Sequence, residues 1–259
     1  MSATWDPSIY LKFGGERTRA AADLLARVPL DDPKHIVDLG CGPGNSTALI
    51  AARYSNADIL GVDASEDMLQ KARASGVRAR FQYADINLWA PDDRYDLIYS
   101  NAMLHWLRDP LLTAQSCFRA LAPGGVLAIQ VPQNFDRPSH VNIAEAVQAG
   151  PWRTALANVF KPSLLYAEDY ARALAPLGAE LDIWTTDYLH ILDGPDPVLR
   201  WISGSALRPY LDQLDASQRA AFEAEVGARL RAAYPPESDG RTFFPFRRLF
   251  VIAKAGVSS

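Results

Sequence analysis

Three aspartates stand where a chain of alternating strands and helices carries its binding groups. Asp38 lies in "IVDLGCGPGNST", Asp63 closes "DILGVD" and Asp85 closes "ARFQYAD". Just after Asp38 come Gly40, Gly42 and Gly44, which let the backbone approach a ligand where a side chain would block it. A loop that cradles the phosphates of ATP needs Lys and then Ser or Thr after its last glycine, and here Asn45 and Ser46 follow instead. A dinucleotide fingerprint counted from Gly40 would place its third glycine at 45, which is Asn45. An acidic side chain beside the loop repels phosphate and suits an ammonium group. About 20 residues beyond such a loop, a carboxylate accepts hydrogen bonds from ribose hydroxyls, the position of Asp63. Asp85 is placed to accept from the exocyclic amino group of an adenine. The ordinary alternative is that these carboxylates cap helices or solvate loops.

The elements that position them follow from periodicity. Apolar runs at 35–40, 58–63, 79–85, 95–101 and 125–131 read as strands, and the segments between them carry apolar residues at helical spacing, with Ser46 and Ser65 as expected N-caps. Strands apolar on both faces suit a parallel sheet covered by helices on each side. The fold class expected is therefore α/β: a Rossmann-like, doubly wound, mostly parallel seven-stranded sheet, completed by strands at 180–192 and 242–255, one of them antiparallel. Helical segments are expected from about Ser139 to Leu177 and from Pro197 to Tyr234. The expectation is a single domain over 1–259, with an N-terminal lid helix at about 5–28 and a helical cap inserted at about 193–241. The cap reading follows from length, because some fifty residues between two strands exceed a simple connection.

Composition bounds the function. A chain of 259 residues with 49% hydrophobic residues can bury a large core, and its net charge of -4 offers no basic footprint for nucleic acid. The first residues, "MSATWDPSIY", lack the flank and apolar run of a signal peptide, and no stretch reaches membrane-span length. A cytoplasmic protein without nucleic-acid or membrane partners is expected. The two cysteines, Cys41 and Cys117, form neither a disulfide framework nor a zinc spacing, so no metal is expected. Oligomeric state is not encoded in these features.

The ligand outlined by the three aspartates has an amino-acid end, a ribose and an adenine, and lacks phosphate. That description fits S-adenosylmethionine. "VDLGCGPG", "GVDASEDML", "YADINLW", "YDLIYSNAMLHWLRD" and "LAPGGVLAIQV" come in order, each at a strand end, and as a series resemble the class I S-adenosylmethionine-dependent methyltransferases. Position by position, the resemblance implies that Asp38, Gly40 and Gly42 hold the methionine part. It places Asp63 and Ala64 at the ribose, Met68 against the adenine, and Asp85 and Ile86 at the adenine edge. Asn101 opens the segment under the transferred methyl group. S-adenosylhomocysteine is the implied product.

The segment "NAMLHWLRDP", with "TWDPSIYLKFGGERTRAAADLL", "PWRTAL", "WISGSALRPYLDQL" and "FPFRRLFVIA", is similar to a branch that methylates small carboxylic acids, the bacterial trans-aconitate methyltransferases. That likeness implies a tricarboxylic acid substrate and a monomethyl ester product. A carboxylate is already ionised at neutral pH, so no residue is required as a general base. His105 and Trp106 are then positioning candidates, and Trp106 is also a candidate wall of the acceptor site. Arginine suits a tricarboxylate because its planar fork binds carboxylates in two places. The candidates are Arg208, Arg247, Arg248 and Arg153, with Arg208 and then Arg247 favoured. Alternation sends Arg247 and Arg248 to opposite faces of a strand, so at most one of them faces the site. Tyr10, toward the cofactor, and Phe13, toward the substrate, are expected in the lid. Competing readings are a methyltransferase for another acid or for a malonyl-thioester, a non-catalytic S-adenosylmethionine-binding module and a nicotinamide oxidoreductase.

Overall fold

The computed structural model describes residues 15–89 and 94–257. Tyr10 and Phe13 lie outside the described residues. Seven strands form one sheet: β1 (His35–Leu39), β2 (Asp58–Asp63), β3 (Arg80–Tyr83), β4 (Tyr95–Asn101), β5 (Leu121–Pro132), β6 (Glu180–Leu192) and β7 (Thr242–Lys254). Their order is β3-β2-β1-β4-β5-β7-β6. The first five run parallel and β7 runs antiparallel to β5. The α/β reading of the sequence thus describes the sheet, including its reversed strand. Ile36, Val37, Leu97, Ile98, Leu127 and Ile129 are at most 1% exposed, as strands covered on both faces require. The order reverses between β1 and β4, and the carboxyl ends of the strands at such a reversal are where open α/β sheets bind ligands.

The described residues form two compact units. The first comprises residues 15–89, 94–132, 165–186 and 248–257. It holds α1 (Glu16–Arg27), α2 (Asn45–Arg53), α3 (Glu66–Ala74), α4 (Pro110–Arg119) and α6 (Ala167–Leu174) around the parallel strands. On one face of the sheet, Tyr99 donates its hydroxyl proton to the Ala21 carbonyl at 2.6 Å, which ties β4 to α1. On the same side, Trp184 of β6 stacks on Phe250 of β7 at 4.8 Å, with the Arg27 guanidinium over the Trp184 ring.

The second unit comprises residues 133–164 and 187–247. It contains α5 (Pro138–Ala149), α7 (Pro197–Ser203), α8 (Arg208–Leu211) and α9 (Ala216–Ala233). Ile143, Val147, Trp152, Ile202, Phe222, Val226 and Phe244 share its core. The insertion expected at 193–241 is part of this larger unit, because Trp152 sets its ring edge-on to Phe222 at 5.2 Å and brings residues 133–164 into the same core. The long helical spans read from the sequence are interrupted. Gly150 and Pro151 follow the end of α5, and α6 begins only at Ala167. The span at 197–234 divides into α7, α8 and α9, broken at Gly204 and restarted at Asp215, whose carboxylate accepts from the Gln218 amide. Among the described residues no helix is long and apolar enough to cross a membrane.

Candidate functional site

The glycine loop joins β1 to α2. Gly40 has φ +72, and a Cβ there would sit 2.1 Å from Met103 Cγ, so the backbone packs directly against that side chain. Gly42 has φ +53, and a Cβ there would meet nothing within 4 Å among the described residues. Open space among the described residues therefore flanks the loop at Gly42, while the Gly40 and Cys41 amides donate to the Val62 carbonyl and hold the loop in place. Ser65 caps α3 as expected, accepting from the Met68 amide. Ser46 does not cap α2, because Gly44 occupies that position and the Ser46 hydroxyl is used elsewhere.

Its use is Asp38. The Ser46 and Thr47 hydroxyls both donate to Asp38 Oδ2 at 2.7 Å, whereas Oδ1 is buried and has no hydrogen-bond partner among the described residues. Burial pushes the Asp38 carboxyl up from its ordinary 3.8 to about 6, against the lowering effect of the Thr47 and Ser46 hydroxyls. A buried acceptor left unpaired costs free energy until a donor reaches it.

Asp63 braces the loop. Its Oδ2 accepts from the Gly42 amide at 2.9 Å and its Oδ1 from the Ser65 amide at 2.8 Å. Each carboxylate oxygen has a second lone pair, so ribose hydroxyls remain compatible with these bonds. Ala64 beside it is exposed and Met68 half-buried. Asp85 accepts from both the backbone and side-chain amides of Asn87, which hold its carboxyl below the usual carboxylate range and cap a short turn at Ile86–Leu88. Ile86 is buried behind it. The loop-bracing and capping roles open to a lone Asp are thus present at Asp63 and Asp85. Asp38 is the carboxylate that retains an unsatisfied buried oxygen.

At the end of β4, Ala102 adopts φ 56, which a residue with a Cβ rarely does, and its amide donates to the Gln130 carbonyl at 2.8 Å. This kink delivers Met103 against Gly40. Asn101 Oδ1 and Gln130 Nε2 are both buried without a hydrogen-bond partner among the described residues. Arg248 is buried, and its Nη1 donates to Gln130 Oε1 at 3.3 Å. His105 is buried with its ring 5.0 Å from that of the exposed Trp106.

The remaining arginines sit in the second unit. Arg247 forms a two-pronged ion pair with Asp187, at 2.9 Å for each prong, and this bond holds the Asp187 carboxyl low. Arg208 is exposed and approaches Asp212 at 3.7 Å, and Arg153 is exposed as well. Sequence reasoning favoured Arg208 and Arg247; of the four candidates the buried one is Arg248, which belongs to the first unit. It also passed over Gln130, whose signal was an amide standing alone in the apolar run "GVLAIQV".

Comparison with known proteins supplies further findings. Residues 13–182 match the family model described as a methyltransferase domain. A trans-aconitate 2-methyltransferase of Azoarcus sp. strain BH72 is 47% identical over 251 residues, covering 96% of this chain and 98% of that protein. A trans-aconitate 2-methyltransferase of Rhodopseudomonas palustris strain BisB18 is 45% identical over 253 residues, with 97% and 99% covered. Among solved structures, an S-adenosylmethionine dependent methyltransferase from Mesorhizobium loti matches with a TM-score of 0.54 at 23% identity, covering 93% of this chain and 99% of that one.

Proposed function

The chain belongs to the methyltransferase-domain family and, within it, groups with the trans-aconitate 2-methyltransferases, and from that premise we propose that it transfers a methyl group from S-adenosylmethionine to a carboxylate of trans-aconitate. One observation carries the reading. The general family match ends at residue 182, whereas the likeness to the named relatives runs over 96% of the chain and so includes the segments beyond the donor-binding strands. Those segments are where acceptor choice is expected to reside.

The donor site fits the cofactor on two counts: the orphaned Asp38 Oδ1 suits an ammonium, and the space beside Gly42 admits a ligand against the backbone. When bound, S-adenosylmethionine supplies an electrophilic methyl group on a cationic sulfur. Asp38 and the closely approaching backbone at Gly40 and Gly42 would hold its amino-acid end. Asp63 and Ala64 would hold the ribose, and Met68, Asp85 and Ile86 the adenine. The chain's own task is positioning: orientation can supply several kcal/mol of the barrier without any group that moves a proton. His105 and Trp106 accordingly serve as parts of the wall. Exclusion of water favours a transfer in which an anion meets a cation and their charges cancel.

The test is turnover with methyl-labelled S-adenosylmethionine and a panel of trans-aconitate, cis-aconitate, citrate, isocitrate and a malonyl-thioester, with base-labile ester counted as volatile methanol. Label appearing chiefly with trans-aconitate supports the proposal. Label appearing only with the thioester, or with none of them while the cofactor binds, overturns it.

A further inference from the structure

Four side chains project from one face of the sheet in a row that changes polarity along its length. Asp38 of β1 is in register with Tyr99 of β4, and Asn101, two residues on, points the same way. Asn101 is in register with Gln130 of β5, which stands opposite Phe250 of β7, and Arg248, two residues from Phe250, again shares the face. From β1 to β7 the row reads carboxylate, amide oxygen, amide nitrogen, guanidinium.

The orientation of the central amide is fixed by chemistry. A guanidinium carries only donors, so the oxygen of Gln130 faces Arg248 and its Nε2 is turned away. That nitrogen is buried and makes no hydrogen bond among the described residues, and Gln130 has no exposed surface. Across from it, Asn101 Oδ1 is an acceptor in the same condition. Neither end of the row is complete in itself among the described residues: the β1–β4 half holds two unpaired acceptors, Asp38 Oδ1 and Asn101 Oδ1, and the β5–β7 half holds an unpaired donor, Gln130 Nε2. A cation seated over the first half and an anion over the second satisfy both. We propose that Gln130 and Arg248 are specificity-determining residues that hold a carboxylate of the acid, with the unpaired Oδ1 of Asn101 marking the boundary toward the cationic methyl donor. The inference rests on the acid-methylating function proposed above and adds the residues that select the acid.

The test separates the two. Trans-aconitate is titrated calorimetrically into protein saturated with S-adenosylhomocysteine, and turnover is measured in parallel. Gln130→Glu is nearly isosteric, pairs with Arg248 and removes the donor. It is expected to weaken trans-aconitate binding and raise KM at least tenfold. Affinity for S-adenosylhomocysteine is expected to stay within threefold, which a merely structural role would not spare. Gln130→Met, neutral and of similar length, replaces it if the glutamate variant does not fold. A wild-type KM in the variant overturns the assignment while leaving the activity standing. Acid binding that the variant abolishes, without methyl transfer in the wild type, supports the assignment and overturns the activity. No binding of acid to the wild type overturns the assignment.

Discussion

Removing the charge of Asp38 tests the donor site most directly. Without ligand, burial lifts this carboxyl from 3.8 to about 6, which corresponds to about 3 kcal/mol as an upper figure for a fully buried group. The folded protein holds the proton more tightly than the unfolded chain, so between about pH 4 and 6 the native state binds more protons. This group's contribution to stability is therefore fully present below the unfolded value, declines as pH rises through that window, and levels off above it. An ammonium placed against Oδ1 requires the ionised form, so affinity for S-adenosylhomocysteine falls as pH drops below about 6, by at most tenfold per pH unit. Asp38→Asn keeps an acceptor for Ser46 and Thr47 but loses a charge-assisted bond of about 1.5–3 kcal/mol, roughly 10- to 150-fold in affinity. Calorimetric titration between pH 5 and 7, where the ligand's amino group stays charged, is the assay. A wild-type affinity flat across that range, or an Asn variant that binds as tightly as the wild type, refutes the reasoning.

Other consequences are as direct. Gly40→Ala imposes a strained φ and drives a Cβ into Met103 at 2.1 Å, for a combined cost of about 2–4 kcal/mol and a melting temperature lowered by at least about 4 °C. Asp63→Asn removes the charged acceptor shared by Gly42 and Ser65, so hydrogen exchange at those two amides is expected to quicken and cofactor affinity to fall. Asp187→Ala breaks a half-exposed ion pair with Arg247 and is expected to cost at most about 1 kcal/mol, with methyl transfer unchanged. Because the pairing holds the Asp187 carboxyl low, that small contribution is present at neutral pH and is lost as pH falls through the depressed value; strong salt diminishes it too.

The glycine loop was legible because its logic is local. A strand, a turn that needs glycine and a helix start follow one another within a dozen residues, and "IVDLGCGPGNST" displays all three. What the sequence did not disclose is how each carboxylate is used. Ser46 looked like a cap and is a donor to Asp38, since Gly44 opens the helix in its place. Asp63 looked ready for a ribose and first braces the adjacent Ser65 and also Gly42, the latter bond set by how two strand ends meet. The acceptor side depends on pairing between segments far apart in the chain. Arg247 and Arg248 are indistinguishable as neighbours in a string. Only the register of β7 against β5 brings Arg248 to Gln130, while the clasp with Asp187 occupies Arg247.

The polarity of the row has a consequence beyond either ligand alone. If Asp38 and Asn101 receive a cation and Gln130 and Arg248 an anion, the two ligands meet across the gap between neighbouring strands, and the charge on the donor's sulfur is felt by the acid. S-adenosylhomocysteine is neutral at that sulfur, whereas an analogue with a fixed positive charge there reproduces the donor. Trans-aconitate is then expected to bind more tightly to protein loaded with the charged analogue, by the 1–3 kcal/mol usual for coupled sites, roughly 5- to 150-fold. Linkage requires that the acid tighten the charged analogue by the same factor, so one pair of calorimetric titrations checks the other. With Gln130→Glu the anion no longer settles beside the row, and the coupling should vanish even where some acid binding survives. Equal acid affinities for the two loaded forms of the wild type would mean that the row does not place the ligands against each other, and its change of polarity would need another explanation.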